Sequence, residues 1–120
     1  MSHRAIPPDD ISPEEFFTHW APGAIAADPA RSARLGAASI DIEFTLEGEG
    51  GGVFAVRIRD GVMLGSVGTI EQAHLRVRTD VATWRELNRG SLSAPEAFLR
   101  RRVKLEGKLF LAVKLHVILG

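Results

Sequence analysis

The sequence predicts a two-layer α+β domain, in which a sheet with one apolar face is covered on that face by helices. Two observations lead to this fold class. Each predicted strand alternates apolar with polar residues, so it has one face suited to a core and one suited to water. The segments around the strands carry helix-capping signatures and apolar residues at helical spacing.

The first helix begins with a capping box, the sequence SPEE at residues 12–15, which has proline at the first helical position. Aromatic residues follow on one face of this helix: Phe16, Phe17 and Trp20. Because Pro22 lacks a backbone N–H and Gly23 favours non-helical conformations, this pair predicts a break or a bend in the helix.

Four further helices are predicted from caps and stop signals. A helix capped by Asp28 runs through Leu35 and stops at a glycine. Another is capped by Thr79 or Asp80 and ends at Gly90, and a short one opens with the capping box SAPE at residues 93–96. The last helix, residues 108–119, is apolar almost all round.

Alternation of apolar and polar residues predicts five strands. They cover residues 38–47, 53–59, 62–67, 73–79 and 102–106. Asp60 and Gly61 form a strong signal for a two-residue hairpin turn between the second and third strands. The glycine-rich residues 48–52 join two strands rather than opening a helix, so they favour a hairpin loop over a phosphate cradle.

The charges on the polar strand faces order the middle of the sheet. The first strand is acidic, whereas the second and fourth are basic. Opposite charges directly across a ladder contribute a few tenths to ~1 kcal/mol, and like charges cost a similar amount. The first strand is therefore expected between the second and the fourth. The acidic residues are Asp41, Glu43 and Glu47, and the basic ones are Arg57, Arg59, His74, Arg76 and Arg78.

Composition excludes several classes of function. The chain has 120 residues, of which 45% are apolar and 25% charged, as in a packed single domain. It has no cysteine, which excludes disulfides and thiolate metal sites and suits the cytoplasm. The formal net charge of zero favours neither nucleic acid nor an anionic membrane. We expect a flexible N-terminal segment over residues 1–11, with neither a signal peptide nor a membrane span, and one domain over residues 12–120.

Catalysis is not favoured by the sequence. The four histidines are scattered without the spacing of metal ligands, and no nucleophile motif surrounds the serines. His74 lies beside the acidic first strand, where either a solvated ion pair or an acid–base pair is conceivable. We therefore expect no enzyme activity, no catalytic residue, no cofactor and no metal.

The apolar inventory allows two interpretations, a filled core or a layer left partly open for an apolar ligand. An empty void of ~300 Å³ would cost roughly 7 kcal/mol, about the stability of a small domain. An open layer must therefore be filled by a ligand or able to collapse. The candidate lining residues are Phe16, Phe17, Trp20, Phe44, Phe54, Ile58, Trp84, Leu87, Phe98, Leu109, Phe110, Val113 and Val117.

Residues 73–119 show a recognisable motif: an Asp-started helix with an apolar anchor, then Gly-x-Leu-x-x-Pro-x-Ala-Phe, a basic strand and a final amphipathic helix. It resembles the sterol carrier protein type 2 domain, also called the non-specific lipid-transfer protein family, and its stand-alone bacterial members in particular. The likeness extends from Ser12 to Leu119. The matching positions are Asp80, Trp84, Leu87, Gly90, Leu92, Pro95, Ala97, Phe98, Lys104, Gly107, Leu111, Ala112, Lys114 and Leu115.

The resemblance implies a five-stranded, mostly antiparallel sheet of order 3-2-1-4-5, with an apolar tunnel between the sheet and the helices. It implies non-catalytic binding or transfer of a fatty acyl, sterol-like or isoprenoid and quinone-type lipid. The alternative is an interaction or accessory module for a lipid-pathway enzyme, with a collapsed cavity. The basic residues at 100, 101, 102 and 104 are either solvated or contact a membrane surface transiently: Arg100, Arg101, Arg102 and Lys104.

Two positions depart from the family pattern. Arg101 stands where many members have glycine, and Lys108 stands where an Asp or Asn usually caps the last helix. A lysine at a helix N-terminus opposes the helix dipole by a few tenths of a kcal/mol. We expect the start of the last helix to be looser or differently shaped for this reason.

Overall fold

Five strands form one sheet in the order β3-β2-β1-β4-β5 in the computed structural model, which describes residues 5–119. β1 pairs with β4 in parallel, and the other three neighbouring pairs are antiparallel. The predicted fold class and strand order are confirmed. The strands are β1 (Ile40–Glu47), β2 (Gly52–Arg59), β3 (Val62–Val67), β4 (Leu75–Asp80) and β5 (Lys104–Gly107).

The acidic face of β1 lies between basic residues of β2 and β4, as the charge pattern predicts. The Asp41 carboxylate accepts a hydrogen bond from Arg59 at 2.8 Å, and its other oxygen lies 3.4 Å from Arg57. On the other side of β1, Glu43 accepts a 2.9 Å hydrogen bond from Arg76 of β4. Complementary charge on both flanks therefore fixes β1 at the centre of the sheet.

Glu43 has a second role that the strand pattern does not reveal. It is buried, and its other carboxylate oxygen accepts a 2.7 Å hydrogen bond from the backbone N–H of Ile70. The Arg76 guanidinium also donates to the carbonyl oxygens of Ile70 and Glu71, at 3.1 and 3.0 Å. This ion pair therefore holds the crossover between β3 and β4 against the open face of the sheet.

The first helix stays helical through positions 22 and 23, so of the break or bend expected there, the break is wrong. α1 (Pro13–Glu15), a π-helical segment (Phe16–Trp20) and α2 (Ala21–Ala26) follow one another directly. The Ala21 N–H donates to the Phe16 carbonyl, five residues back, so the hydrogen-bond register shifts by one residue just before Pro22. Pro22 then stands in the first turn of α2, where its missing N–H is tolerated.

The remaining helices follow their predicted caps. Asp28, Asp80 and Ser93 each accept a hydrogen bond from the backbone N–H three residues later. Within residues 5–119, no helix has both the length and the apolar character needed to cross a membrane. The helices are α3 (Pro29–Leu35), α4 (Val81–Arg89), α5 (Ala94–Leu99) and α6 (Ala112–Leu119).

α6 is entered through a 3₁₀ turn (Leu109–Leu111), where a single helix over residues 108–119 was expected. Among the described residues, Lys108 supplies no side-chain cap to this turn. Its backbone N–H instead donates to the His74 carbonyl at 2.9 Å, which ties the start of the turn to the end of the crossover. The 3₁₀ turn therefore stands where the last helix would begin and where a side-chain cap is missing.

The N-terminal segment meets α4 before the first helix begins. Arg85 of α4 donates to the carbonyl oxygens of Asp9 and Ile11, at 3.0 and 2.9 Å, and Ile11 is buried. Residues 1–4 of the predicted flexible segment lie outside the described residues. Contacts with the domain thus begin by Asp9.

The centre of the domain, between sheet and helices, is filled by aromatic rings. Phe17 of the π-helical segment lies 4.8 Å from Phe44 of β1 and 5.0 Å from Phe54 of β2, measured between ring centroids. Its neighbour Phe16 packs edge-on against Trp84 of α4 at 5.3 Å. All five of these side chains are almost fully buried. The aromatic residues therefore serve as the core of the two layers.

Helix and sheet approach most closely at Gly65 of β3. A Cβ atom at this position would lie 1.8 Å from the Phe17 carbonyl oxygen. No side chain fits in this space, so the glycine lets the π-helical segment lie directly on the sheet.

We expect Gly65→Ala to lower the free energy of unfolding by about 1–3 kcal/mol, because the added methyl group must push the two backbones apart. Urea unfolding followed by circular dichroism measures this change. Gly23→Ala is the matched control, since a Cβ there meets nothing within 4 Å, and it should stabilise α2 by about 0.5–1 kcal/mol. Equal effects from the two variants would contradict the close approach.

Candidate functional site

An apolar groove of about 790 Å³ lies at the β5 side of the domain, between α5, β5 and α6. Its volume falls within the range of about 300–1,000 Å³ typical of small-molecule sites. The groove is open along one side, where Phe98, Leu109 and Val113 are about half to two-thirds exposed. The lining residues are Arg34, Leu87, Ala94, Pro95, Phe98, Val103, Leu105, Leu109, Ala112, Val113, Leu115, His116 and Leu119.

α6 is apolar almost all round because it meets two apolar surroundings. Val117 and Ile118 are buried in the core, whereas Ala112 and Val113 line the groove. Leu115 does both, since it belongs to the core cluster and also lines the groove. α6 is thus the wall that separates the packed interior from the open groove.

A buried arginine holds the C-terminal end of this wall. The Arg31 side chain of α3 is only 4% exposed, and its guanidinium donates to the carbonyl oxygens of Val117 at 2.6 Å and Ile118 at 3.0 Å. These carbonyls belong to the last turn of α6, where a cation also complements the helix dipole. The Lys114 ammonium group donates to the Arg34 carbonyl at 3.1 Å, which adds a second tie between α3 and α6.

We expect Arg31→Met to lower the free energy of unfolding by about 2–4 kcal/mol, because two buried carbonyl oxygens lose charged donors. Chemical unfolding measures the loss. Arg31→Lys keeps the positive charge but loses the planar guanidinium, which can donate to two carbonyls at once. The free energy of unfolding of this variant should therefore lie between those of the wild type and the Met variant. An unfolding midpoint that Arg31→Met leaves unchanged would contradict this role.

The basic run next to the groove divides into internal and external residues. Arg102 donates to Thr83 Oγ1 at 3.1 Å and to the Glu86 carboxylate, so it joins the start of β5 to α4. The hydrogen bond with Glu86 raises the pKa of the Arg102 guanidinium above its usual value. Arg101 and Lys104 are exposed. Only part of the run is therefore available to an outside partner.

Arg101 occupies a backbone conformation that favours glycine. Its φ angle is +59°, in the left-handed region, which costs a residue with a Cβ atom about 1–2 kcal/mol. The resemblance described from the sequence implies glycine here in many members. The departure noted in the sequence therefore corresponds to local backbone strain at the turn between α5 and β5.

We expect Arg101→Gly to raise the free energy of unfolding by about 1 kcal/mol, because glycine adopts the left-handed conformation without strain. Arg101→Ala removes the same charge but keeps the Cβ atom, and it should leave stability nearly unchanged. Thermal unfolding of the two variants beside the wild type measures both effects. If Arg101→Ala stabilised the protein as much as Arg101→Gly, the cause would be the removal of the positive charge and not the relief of backbone strain.

Four of the predicted ligand-binding residues line the groove. Leu87 comes from α4, Phe98 from α5, Leu109 from the 3₁₀ turn and Val113 from α6. Trp20 lies elsewhere, where it stacks on Phe16 at 5.7 Å. Phe110 is 73% exposed and does not line the groove.

The other seven predicted residues lie in the core rather than on the groove. Their side chains are buried in one core cluster, in which aromatic rings pack directly on one another. The groove lies beside this core, and the tunnel between the sheet and the helices stays a prediction. The seven residues are Phe16, Phe17, Phe44, Phe54, Ile58, Trp84 and Val117.

Most of the groove wall comes from residues that the sequence analysis did not predict to bind a ligand. Val103 and Leu105 are the apolar positions of the predicted fifth strand, so the alternation there already placed them on one face. Ala94, Ala112 and the prolyl side chain of α5 are small, and their contribution is to leave space. Small residues give no sequence signal for a cavity.

His74 has a structural role instead of the ion pair or acid–base pair considered from the sequence. Its ring Nδ1 accepts a 2.9 Å hydrogen bond from the backbone N–H of Asp41, and the backbone N–H of His74 donates to the Asp41 carbonyl at 2.8 Å. The residue therefore extends the pairing of β4 with β1. Among residues 5–119, no group of three or more His, Cys, Asp or Glu side chains could hold a metal ion.

Fold and groove together define a small α+β domain with an apolar groove at the edge of its sheet. Its sequence matches the model of the SCP-2 sterol transfer family over residues 23–120. The chain belongs to this family. The family that the sequence resembles is therefore confirmed. No curated protein matches the chain.

Solved structures share the fold at low identity. The palmitated SCP2L2 from Aedes aegypti superposes with a TM-score of 0.71 at 16% identity, covering 92% of this chain and 96% of that one. The stereoselective inverting sec-alkylsulfatase Pisa1 from Pseudomonas sp. matches with a TM-score of 0.67 at 22% identity. The match covers 92% of this chain but only 16% of the sulfatase, so this chain corresponds to a small part of that enzyme.

A further solved relative carries a different description. The ubiquinone synthesis protein UbiJ-SCP2 matches with a TM-score of 0.60 at 12% identity, over 79% of this chain and 82% of that one. At these identities the likeness shows the fold alone. The fold therefore occurs both as a whole small chain and as part of a much larger enzyme.

Proposed function

We propose that this protein is a non-catalytic lipid carrier that holds one apolar chain in the groove between α5, β5 and α6. The observation that supports this most directly is the groove itself, whose lining is apolar except for Arg34 and His116. Small-molecule sites are typically lined by apolar side chains with a few polar groups, as this groove is. A fatty acyl or isoprenoid chain is the ligand type that fits an elongated apolar wall.

Burial of the chain supplies the affinity. Each methylene group removed from water contributes ~0.8 kcal/mol, so an acyl chain offsets the cost of association after about ten carbons. The half-exposed residues at the mouth, Phe98, Leu109 and Val113, are the ones that gain most from ligand contact.

We place ligand entry at a membrane surface touched by the mouth of the groove. Leu99 and Phe110 are 80% and 73% exposed beside this mouth. Exposed cations follow Leu99 in the sequence at Arg100, Arg101 and Lys104, and of these Arg100 is paired with Glu96 at 3.1 Å. Each basic residue near an anionic bilayer contributes about 1 kcal/mol. Arg102 is left out of this contact, because its guanidinium is engaged by Thr83 and Glu86.

A second candidate function is that of an accessory module for a lipid-pathway enzyme. Its support is the sulfatase match, in which this fold corresponds to 16% of a larger enzyme chain. In that case the exposed apolar residues at the groove mouth would contact a protein instead of a lipid. The two candidates differ in what co-purifies with the protein and in whether the groove is filled.

We expect native mass spectrometry of the purified protein to show one bound lipid, which organic extraction removes. Ala112→Trp should weaken binding of a fluorescent fatty acid by at least about tenfold, because the indole ring occupies the groove wall and displaces about two buried methylenes. Fluorescence titration at micromolar protein measures the change.

Ala26→Trp is the matched control, since Ala26 is exposed at the end of α2 and does not line the groove. Circular dichroism on both variants checks that the fold is kept. Equal binding by both variants, or the absence of any bound lipid together with concentration-dependent self-association, would favour the accessory module.

A further inference from the structure

The two polar side chains that line the groove both carry nitrogen groups that can donate hydrogen bonds. Arg34 and His116 are the two polar residues among the thirteen lining residues, and among residues 5–119 no Asp or Glu lines the groove. A neutral lipid needs neither charge nor a strong donor beside its tail. The chemistry of the lining residues therefore indicates the type of head group that the ligand has, as well as the type of chain.

Arg34 is held at the groove by its backbone, which leaves its guanidinium available. Its carbonyl oxygen accepts the 3.1 Å hydrogen bond from Lys114, so the last turn of α3 is fixed against the middle of α6. The side chain is exposed, and Arg34 takes part in none of the ion pairs found among residues 5–119.

Arg31, three residues earlier in the same helix, shows the contrast. Its guanidinium is buried and donates to two carbonyls of α6, whereas Arg34 faces the groove. Lys114 adds a second positive charge beside Arg34, since its ammonium group lies against the Arg34 carbonyl. This corner of the groove is therefore positively charged and bordered by apolar surface, which strengthens its attraction for an anion.

We propose that Arg34 binds the head group of the ligand, and that the groove selects amphiphiles with an anionic oxygen head over neutral lipids of equal chain length. This selectivity rests on the proposed lipid-carrier function. The planar guanidinium fork pairs with two oxygens of a carboxylate or a phosphate. Both heads share this chemistry, and the tail then follows the wall made by α6 and β5.

The test compares dodecanoate, dodecyl phosphate and dodecanol, each measured by displacement of the uncharged probe N-phenylnaphthylamine. We expect the wild type to bind at least one of the two anions with an affinity at least about tenfold higher than its affinity for dodecanol. One hydrogen bond to a charged group is sufficient for a difference of this size. Arg34→Gln should bring this ratio close to one without changing dodecanol affinity. The anion that is preferred identifies carboxylate or phosphate as the natural head.

Arg78→Gln is the matched control, because it removes one positive charge on the open face of the sheet, where Arg78 lies 3.9 Å from Glu47. It should keep the preference of the wild type. Equal affinity of all three ligands for the wild type, or a preference that Arg34→Gln leaves intact, would overturn the head-group site while leaving the carrier function standing. Failure of all three ligands to bind would instead overturn the carrier function itself.

Discussion

The packing of Phe17 against the sheet is the interaction on which the rest of the structure depends. Its ring contacts Phe44 and Phe54 at about van der Waals distance, and Phe16 and Trp84 complete the cluster. Ring centroids only 5 Å apart leave no room for a ligand between the layers over β1 and β2. The apolar groove lies instead beside β5, where α5 and α6 leave the edge of the sheet partly open.

Because α6 forms one wall of the groove, the position of this helix determines the shape of the groove. This helix is too apolar to stand free in water, yet one of its sides faces the open groove, so its position depends on ties to its neighbours. Arg31 holds its last turn through two carbonyls, and Lys114 connects its middle to α3. Its start has a tight 3₁₀ turn in place of a side-chain cap. The groove wall is consequently anchored more firmly at its C-terminal end than at the mouth.

The sequence predicts the sheet better than the site because the two depend on different physical signals. Alternation and charge complementarity act between direct neighbours, so Asp41 and Glu43 already place β1 at the centre. Whether an aromatic ring fills a core or lines a cavity depends on where its neighbours in space leave room. The sequence alone does not distinguish Phe16, which is in the core, from Phe98, which lines the groove. Arg31 and Arg34 also lie on one helix with similar local sequence, although one is buried and the other lies at the groove.

The central claim is that a lipid chain lies in the groove and not in the aromatic core. Methyl NMR with a fatty acid that carries a paramagnetic label on its tail locates the ligand directly. The account predicts strong broadening of the methyl signals of Leu105 and Leu119, which line the groove, with little effect on Val56 and Met63, which are buried in the core on the β2–β3 side. Broadening centred on Val56 and Met63 instead would contradict it and would place the ligand in a tunnel between the layers.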